Sequence, residues 1–267
     1  MLKTENCLAV SIIFYTFAKN LNDMRYCGSK ARYAKDLIPI ITEHLNGDNI
    51  FFDSFMGGAN ILSSVDYHQK MGIDINKYIV DLWKYISIHR MIGIPSSMER
   101  ETYYEIKKSY IEKNDNYPSW LIGYTGSALS FGGAWFNGFS GYNVKKKEDH
   151  VLGAYNGLKK QVDNFLYLDK TIFINEFYSN VPYPVGSVIY CDPPYASTKK
   201  YISDFNNDMF WDWVRMMVKE KKCYVYVSEY EAPSDFKCVW EKEKKECMNS
   251  AKRGYGKLMT EKLFILK

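Results

Sequence analysis

Residues 50–58 read I-F-F-D-S-F-M-G-G. Three apolar residues closed by Asp53 and a glycine pair describe a short buried strand that stops at an acid and turns tightly. Downstream, the pattern predicts a helix from about Ala59 to Gln69. A second short strand follows, Met71-Gly72-Ile73-Asp74-Ile75, again carrying an acid near its end, and then a helix over roughly 77–91. Upstream, Ala34, Leu37, Ile38, Ile41 and Leu45 share one face of a helix predicted from Lys30 to Leu45. Strand, glycine turn, helix, strand, helix in this order is the signature of a parallel βαβ unit.

Beyond residue 95 the rhythm breaks. Helical patterns at about 98–113 and 118–130 lead into S-F-G-G-A-W-F-N-G-F-S-G-Y-N-V-K-K-K-E-D (130–149), which has no clear period, and another helix is predicted near 151–167. Alternation then resumes, with strands at Thr171–Asn175, Ser187–Cys191 and Cys223–Ser228, a helix at 206–221, and strands near 236–241 and 260–266. The economical description is one α/β domain, residues 24–94 and 171–267, interrupted by an inserted region at 95–170.

Bulk composition is that of an ordinary globule: 46% hydrophobic and 25% charged residues in 267, with no internal repeat. The net charge of +4 is too small to establish a polyanionic partner. Basic residues do cluster at Lys145-Lys146-Lys147, at Lys199-Lys200 and from Lys237 to Lys267, and the bland reading of each cluster is a solvated face. Six scattered cysteines, without a C-x-x-C or a His at ligand spacing, argue for reduced thiols in a cytoplasmic protein and against a metal site. The apolar run 8–18 is too short to span a bilayer and lacks a cleavage pattern, so residues 1–23 read as an extension ahead of a functional start at Met24.

Ligands of an open parallel sheet sit at the carboxyl ends of its strands. Three features fall there: Gly57-Gly58, Asp74, and Asp192-Pro193-Pro194-Tyr195 directly after the apolar run Val188-Ile189-Tyr190. Glycines let a ligand approach the backbone, and an acid after the second strand suits ribose hydroxyls; the plain alternative is a tight turn and a helix cap. The G-x-G-x-x-G and G-K-[ST] patterns are absent, which argues against NAD and ATP. Two consecutive prolines continue neither a strand ladder nor a helix, so the D-P-P-Y tetrapeptide demands another explanation.

Taken in order, M-R-Y-C-G-S-K (24–30), F-D-S-F-M-G-G (52–58), G-I-D-I-N (72–76), C-D-P-P-Y (191–195) and E-K-L-F-I-L (261–266) give the explanation. Over residues 24–267 the chain resembles the Dam-like adenine-specific DNA methyltransferases. The resemblance implies a Rossmann-like methyltransferase sheet, mostly parallel with an antiparallel strand near the C-terminus, and a mainly helical target-recognition insert at 95–170. It also implies S-adenosylmethionine as cofactor. Tyr26, Gly28 and Lys30 would meet it from the N-terminal segment, Lys30 near its carboxylate. Asp53, Phe55, Gly57 and Gly58 would line the methionine and adenosine pocket, Asp74 would hold the ribose, and Asp192 would lie between cofactor and base.

The chemistry then accounts for the prolines. Adenine N6 is a poor nucleophile, its lone pair being delocalised into the ring. Asp192 and the Pro193 carbonyl, both acceptors, would hold its two N–H groups; Pro194 stiffens the turn and Tyr195 would stack on a base taken out of the duplex. Trp135, Phe136, Phe139 and Tyr142 are candidates to stack or wedge into double-stranded DNA and Lys145, Lys146 and Lys147 to meet phosphates, the alternative for the aromatics being core packing. Two departures from the family pattern stand out: Ala59 replaces a glycine, and the Y-N-G…F-N-V-P-F-G hairpin of GATC-specific members has no counterpart. The reading is thus a monomeric, cytoplasmic adenine N6-methyltransferase without membrane attachment, of the kind found in restriction-modification systems. Its rivals are a methyltransferase of cytosine N4 or RNA adenine on the same fold, and a nucleic-acid-binding module with a degenerate cofactor site.

Overall fold

The computed structural model describes residues 23–194, 205–245 and 258–267. Strands β1 (Phe51–Asp53), β2 (Lys70–Asp74), β5 (Ile172–Asn175), β6 (Val188–Cys191), β7 (Tyr224–Glu229), β8 (Phe236–Lys245) and β9 (Leu258–Leu266) form one seven-stranded sheet in the order β5-β2-β1-β6-β7-β9-β8. The first five in that order run parallel, while β9 is antiparallel to both β7 and β8. Strands laid down after β1 build outward on one side through β2 and β5, and β6 and β7 build on the other. The sheet therefore reverses direction of growth between β1 and β6, the switch point at which such sheets open a ligand crevice.

Side chains alternate across the sheet and divide the core in two. Phe51, Tyr190, Tyr226 and Leu263 pack on one face, with α1 (Ala34–Ile41), α2 (Lys77–His89), α3 (Arg100–Glu112), α4 (Ser119–Ser127) and α5 (His150–Asn164). Phe52, Ile189, Val225 and Val227 pack on the other, against Phe210, Trp213, Val214 and Met217 of α6 (Asn207–Lys219). Three helices start where an Asn or Asp side chain takes orphan amides: Asn76 accepts from Tyr78, Asp149 from Val151 and Leu152, and Asn206 from Met209.

Two expectations need correction. No α-helix forms between Ala59 and Gln69; a single 3-10 turn, Leu62–Ser64, stands there. Ser63 and Ser64 hydroxyls bond the Asn60 carbonyl and compete with the helical ladder, while Ala59 is left-handed at φ 52°. That φ also explains why glycine would sit more comfortably at position 59. The helix expected to reach Leu45 ends at Ile41, with Pro39 inside it. The aperiodic stretch holds a small antiparallel hairpin, β3 (Tyr142–Asn143) with β4 (Glu148–Asp149), which the sequence pattern did not announce.

Candidate active site

Backbone hydrogen bonds from the neighbouring strands fix the turn after β1: Ser54 N–H donates to the Tyr190 carbonyl at 2.9 Å and Met56 N–H to the Ile73 carbonyl at 2.9 Å. Gly57, at φ 45°, then turns the chain toward β2, and its N–H donates to Asp74 Oδ2 at 2.9 Å. The other Asp74 oxygen accepts from Asn76 N–H at 2.8 Å. Asp74 therefore ties the glycine turn to the start of α2. Burial pushes its carboxyl up, and the two amides oppose that shift.

Tyr26 closes the turn from outside. A Cβ on Gly57 would run into its ring, and one on Gly58 would meet Tyr26 Cβ at 2.8 Å. Gly28, also at positive φ, lets the N-terminal segment bend back, with Ser29 N–H donating to the Tyr26 carbonyl at 3.1 Å. The bend delivers Lys30, which is 5% exposed, onto the end of β6. Lys30 Nζ donates to Asp192 Oδ1 at 2.7 Å and stands 3.8 Å from Glu261 Oε2 on β9. The structure thus brings Lys30 onto the carboxylate of the D-P-P-Y segment. A buried ammonium requires such a partner.

Asp53 is almost fully buried at the end of β1, and its Oδ1 has no hydrogen-bond partner. Burial, and secondarily repulsion from Asp192, push its carboxyl up to about 8 against the pull of the Phe55 amide. Burial thus favours the protonated form of Asp53. Glu229, at the end of β7, is pushed up to about 7, again chiefly by burial and then by Asp192. The switch point is thus an acid-rich crevice holding one buried lysine, a kind of cluster that marks functional sites.

The other expected residues separate into groups. Phe55 leaves this cluster for the opposite sheet face, where its ring lies 5.2 Å from Tyr178 and 5.9 Å from Phe210. Pro193 is buried and Pro194 half-buried directly after Asp192; Tyr195 lies outside the described residues. Phe136 is 5% exposed and stacks on Tyr110 at 5.1 Å, so it is a core residue and not an outward wedge. Trp135 is half-buried between Tyr78 and Tyr110, and Phe139 packs on Tyr103. Packing of α3 and α4 claims all three rings. Lys145, Lys146 and Lys147 are exposed in the hairpin turn, beside Tyr142 and Val144.

Sequence reading passed over Phe131. It is 62% exposed on a loop held by a Ser130–Phe139 bridge, and Gly133 of that loop accepts from Cys27 N–H at 3.0 Å. An aromatic residue before a glycine pair was the available signal. Glu229 and Glu261 were likewise unassigned, because nothing local ties them to Lys30. Among the described residues no group of His, Cys, Asp and Glu is arranged to hold a metal, and no helix is long and apolar enough to cross a membrane.

A family model described as D12 class N6 adenine-specific DNA methyltransferase matches residues 26–231. DNA adenine methylases are 22% identical over 192 residues in Salmonella typhi and 23% identical over 195 residues in Escherichia coli K12, each match covering 67% of this chain. The matched segment spans 66% of the length of either relative. Among solved structures, the rRNA methyltransferase aviRa of Streptomyces viridochromogenes aligns with a TM-score of 0.40 and 11% identity, over 90% of this chain and 86% of that one.

Proposed function

Because the chain belongs to the D12 class of N6 adenine-specific DNA methyltransferases, we propose that it transfers a methyl group from S-adenosylmethionine to N6 of an adenine in double-stranded DNA. The observation that carries this reading is the meeting of Lys30 and Asp192 at the β1/β6 switch point, beside the glycine turn. The crevice suits the cofactor: Asp53 Oδ1 is buried without a partner, acids surround it, and any side chain at Gly57 or Gly58 would collide with Tyr26. Tyr26, Asp53, Gly57, Gly58 and Asp74 are the residues that would hold it. When bound, S-adenosylmethionine supplies an electrophilic methyl group on a sulfonium.

The chain's own work is positioning. Lys30 holds Asp192 Oδ1, so the carboxylate stands as a fixed acceptor for one N–H of the target amino group. The Pro193 carbonyl accepts the other, aimed by a residue whose φ is locked and which has no N–H. Two acceptors on one amino group favour a pyramidal nitrogen whose lone pair faces away from the ring plane. Orientation and fixed charge account for the acceleration, with no covalent enzyme intermediate. Phe131, Tyr142 and Val144 present apolar surface for the duplex and Lys145, Lys146 and Lys147 meet its phosphates.

The test is to incubate the full-length protein with methyl-labelled S-adenosylmethionine and unmethylated plasmid DNA, then digest to nucleosides. Label is expected in N6-methyldeoxyadenosine, and Asp192→Ala is expected to abolish it with an unchanged circular dichroism spectrum. Label in N4-methyldeoxycytidine, or transfer retained by Asp192→Ala, would refute the reading.

A further inference from the structure

Gln161 lies on α5, outside every motif described above, and is 3% exposed. Its side-chain amide has one acceptor and two donors, and the structure uses all of them. Oε1 accepts from Met24 N–H at 3.0 Å; Nε2 donates to the Gly58 carbonyl at 2.9 Å and to Ser63 Oγ at 3.1 Å. Met24 opens the segment that carries Tyr26 and Lys30, and Gly58 belongs to the turn on which Tyr26 lies. The two segments lie 137 and 103 residues from Gln161, and one side chain bridges them.

We infer that Gln161 is a positioning residue for the cofactor, setting the distance between the Tyr26–Lys30 segment and the Gly57-Gly58 turn. The inference rests on the assignment of that crevice to S-adenosylmethionine. Tyr26 packs on the glycines and Cys27 N–H is tied to Gly133, and Gln161 is the side chain that hydrogen-bonds both the segment and the turn. A one-residue slip at either end would misplace Tyr26 over the glycines, and Lys30 with it. Only an amide fits the three partners: a carboxylate would oppose the Gly58 carbonyl, and an apolar chain would leave a buried N–H and a buried C=O unsatisfied.

Gln161→Met keeps length and volume and removes all three bonds. In calorimetry with S-adenosylhomocysteine its dissociation constant is expected to rise about tenfold over wild type, as when only about one-tenth of the protein holds the two segments in the binding-competent arrangement. KM for S-adenosylmethionine should rise by the same factor, with kcat at saturation within about twofold of wild type. Leu158→Ala, a core truncation on the same helix that spares the three bonds, should lower the melting temperature while leaving that KM unmoved. A Gln161→Met protein that is destabilised like Leu158→Ala yet keeps wild-type affinity would overturn the inference. Should Gln161→Met fail to fold, amide exchange on the wild type decides: added S-adenosylhomocysteine should slow exchange at Met24 together with residues 157–162, and unchanged exchange at Met24 would overturn it. Wild-type protein that binds no S-adenosylhomocysteine would instead bring down the assignment of the crevice, and this inference with it.

Discussion

Replacing Asp53 by Asn should flatten the pH dependence of stability. In the folded protein burial and the nearby Asp192 raise this carboxyl from 3.8 to about 8. A raised acid binds its proton more tightly folded than unfolded, so its contribution to stability is greatest at low pH. It is lost as pH climbs from the unfolded value toward the folded one. Each pH unit in that window costs about 1.4 kcal/mol, and between pH 5.5 and 7.5 the linkage amounts to about 2.5 kcal/mol from this group alone. Asn approximates the neutral carboxyl in size and does not titrate. Urea unfolding of both proteins at pH 5.5, 6.5 and 7.5 should therefore show wild type falling toward the variant by about that amount. Glu229, raised to about 7, contributes a slope of the same sign to both proteins and cancels in the difference. Parallel pH curves for Asp53→Asn and wild type would refute the preference of buried Asp53 for its protonated form.

Two further outcomes are expected. Lys30→Met leaves Asp192 and Glu261 without the ammonium between them, and should cost about 3–5 kcal/mol in urea unfolding as well as activity; a loss below 1 kcal/mol would show the pair to be incidental. The triple variant Lys145→Ala, Lys146→Ala, Lys147→Ala should lower the slope of log binding constant against log salt by up to about 2.7 on plasmid fragments, and an unchanged slope would remove the hairpin from the DNA contact.

The parallel strands of the central sheet were legible in the sequence because most are short apolar runs cut off by an acid, proline or glycine. Phe51–Asp53 and Val188–Cys191 fall within a residue of expectation for that reason. The stretch after Ala59 was not, because its apolar spacing is helical but its serines bond Asn60 instead of extending a ladder. Within the site, the glycine turn and the D-P-P-Y segment were visible as local patterns. The ion pair of Lys30 with Asp192 was not, since its partners are 162 residues apart and only the sheet order brings them together. Phe136 shows the converse error: an aromatic in a polar, glycine-rich stretch looks available to a ligand until packing claims it.

The placement of β1 between β2 and β6 has a consequence during synthesis. Phe51-Phe52-Asp53 acquires one neighbour almost at once, but the edge that later pairs with Val188–Tyr190 stays open until the chain has grown by 135 residues. At ordinary ribosomal speeds that is roughly 7–27 s, during which an apolar strand edge has nothing to pair with. The nascent chain therefore passes through an interval in which a buried central strand is a template for association. The proposed cofactor site, which needs both edges of β1, is among the last features to close.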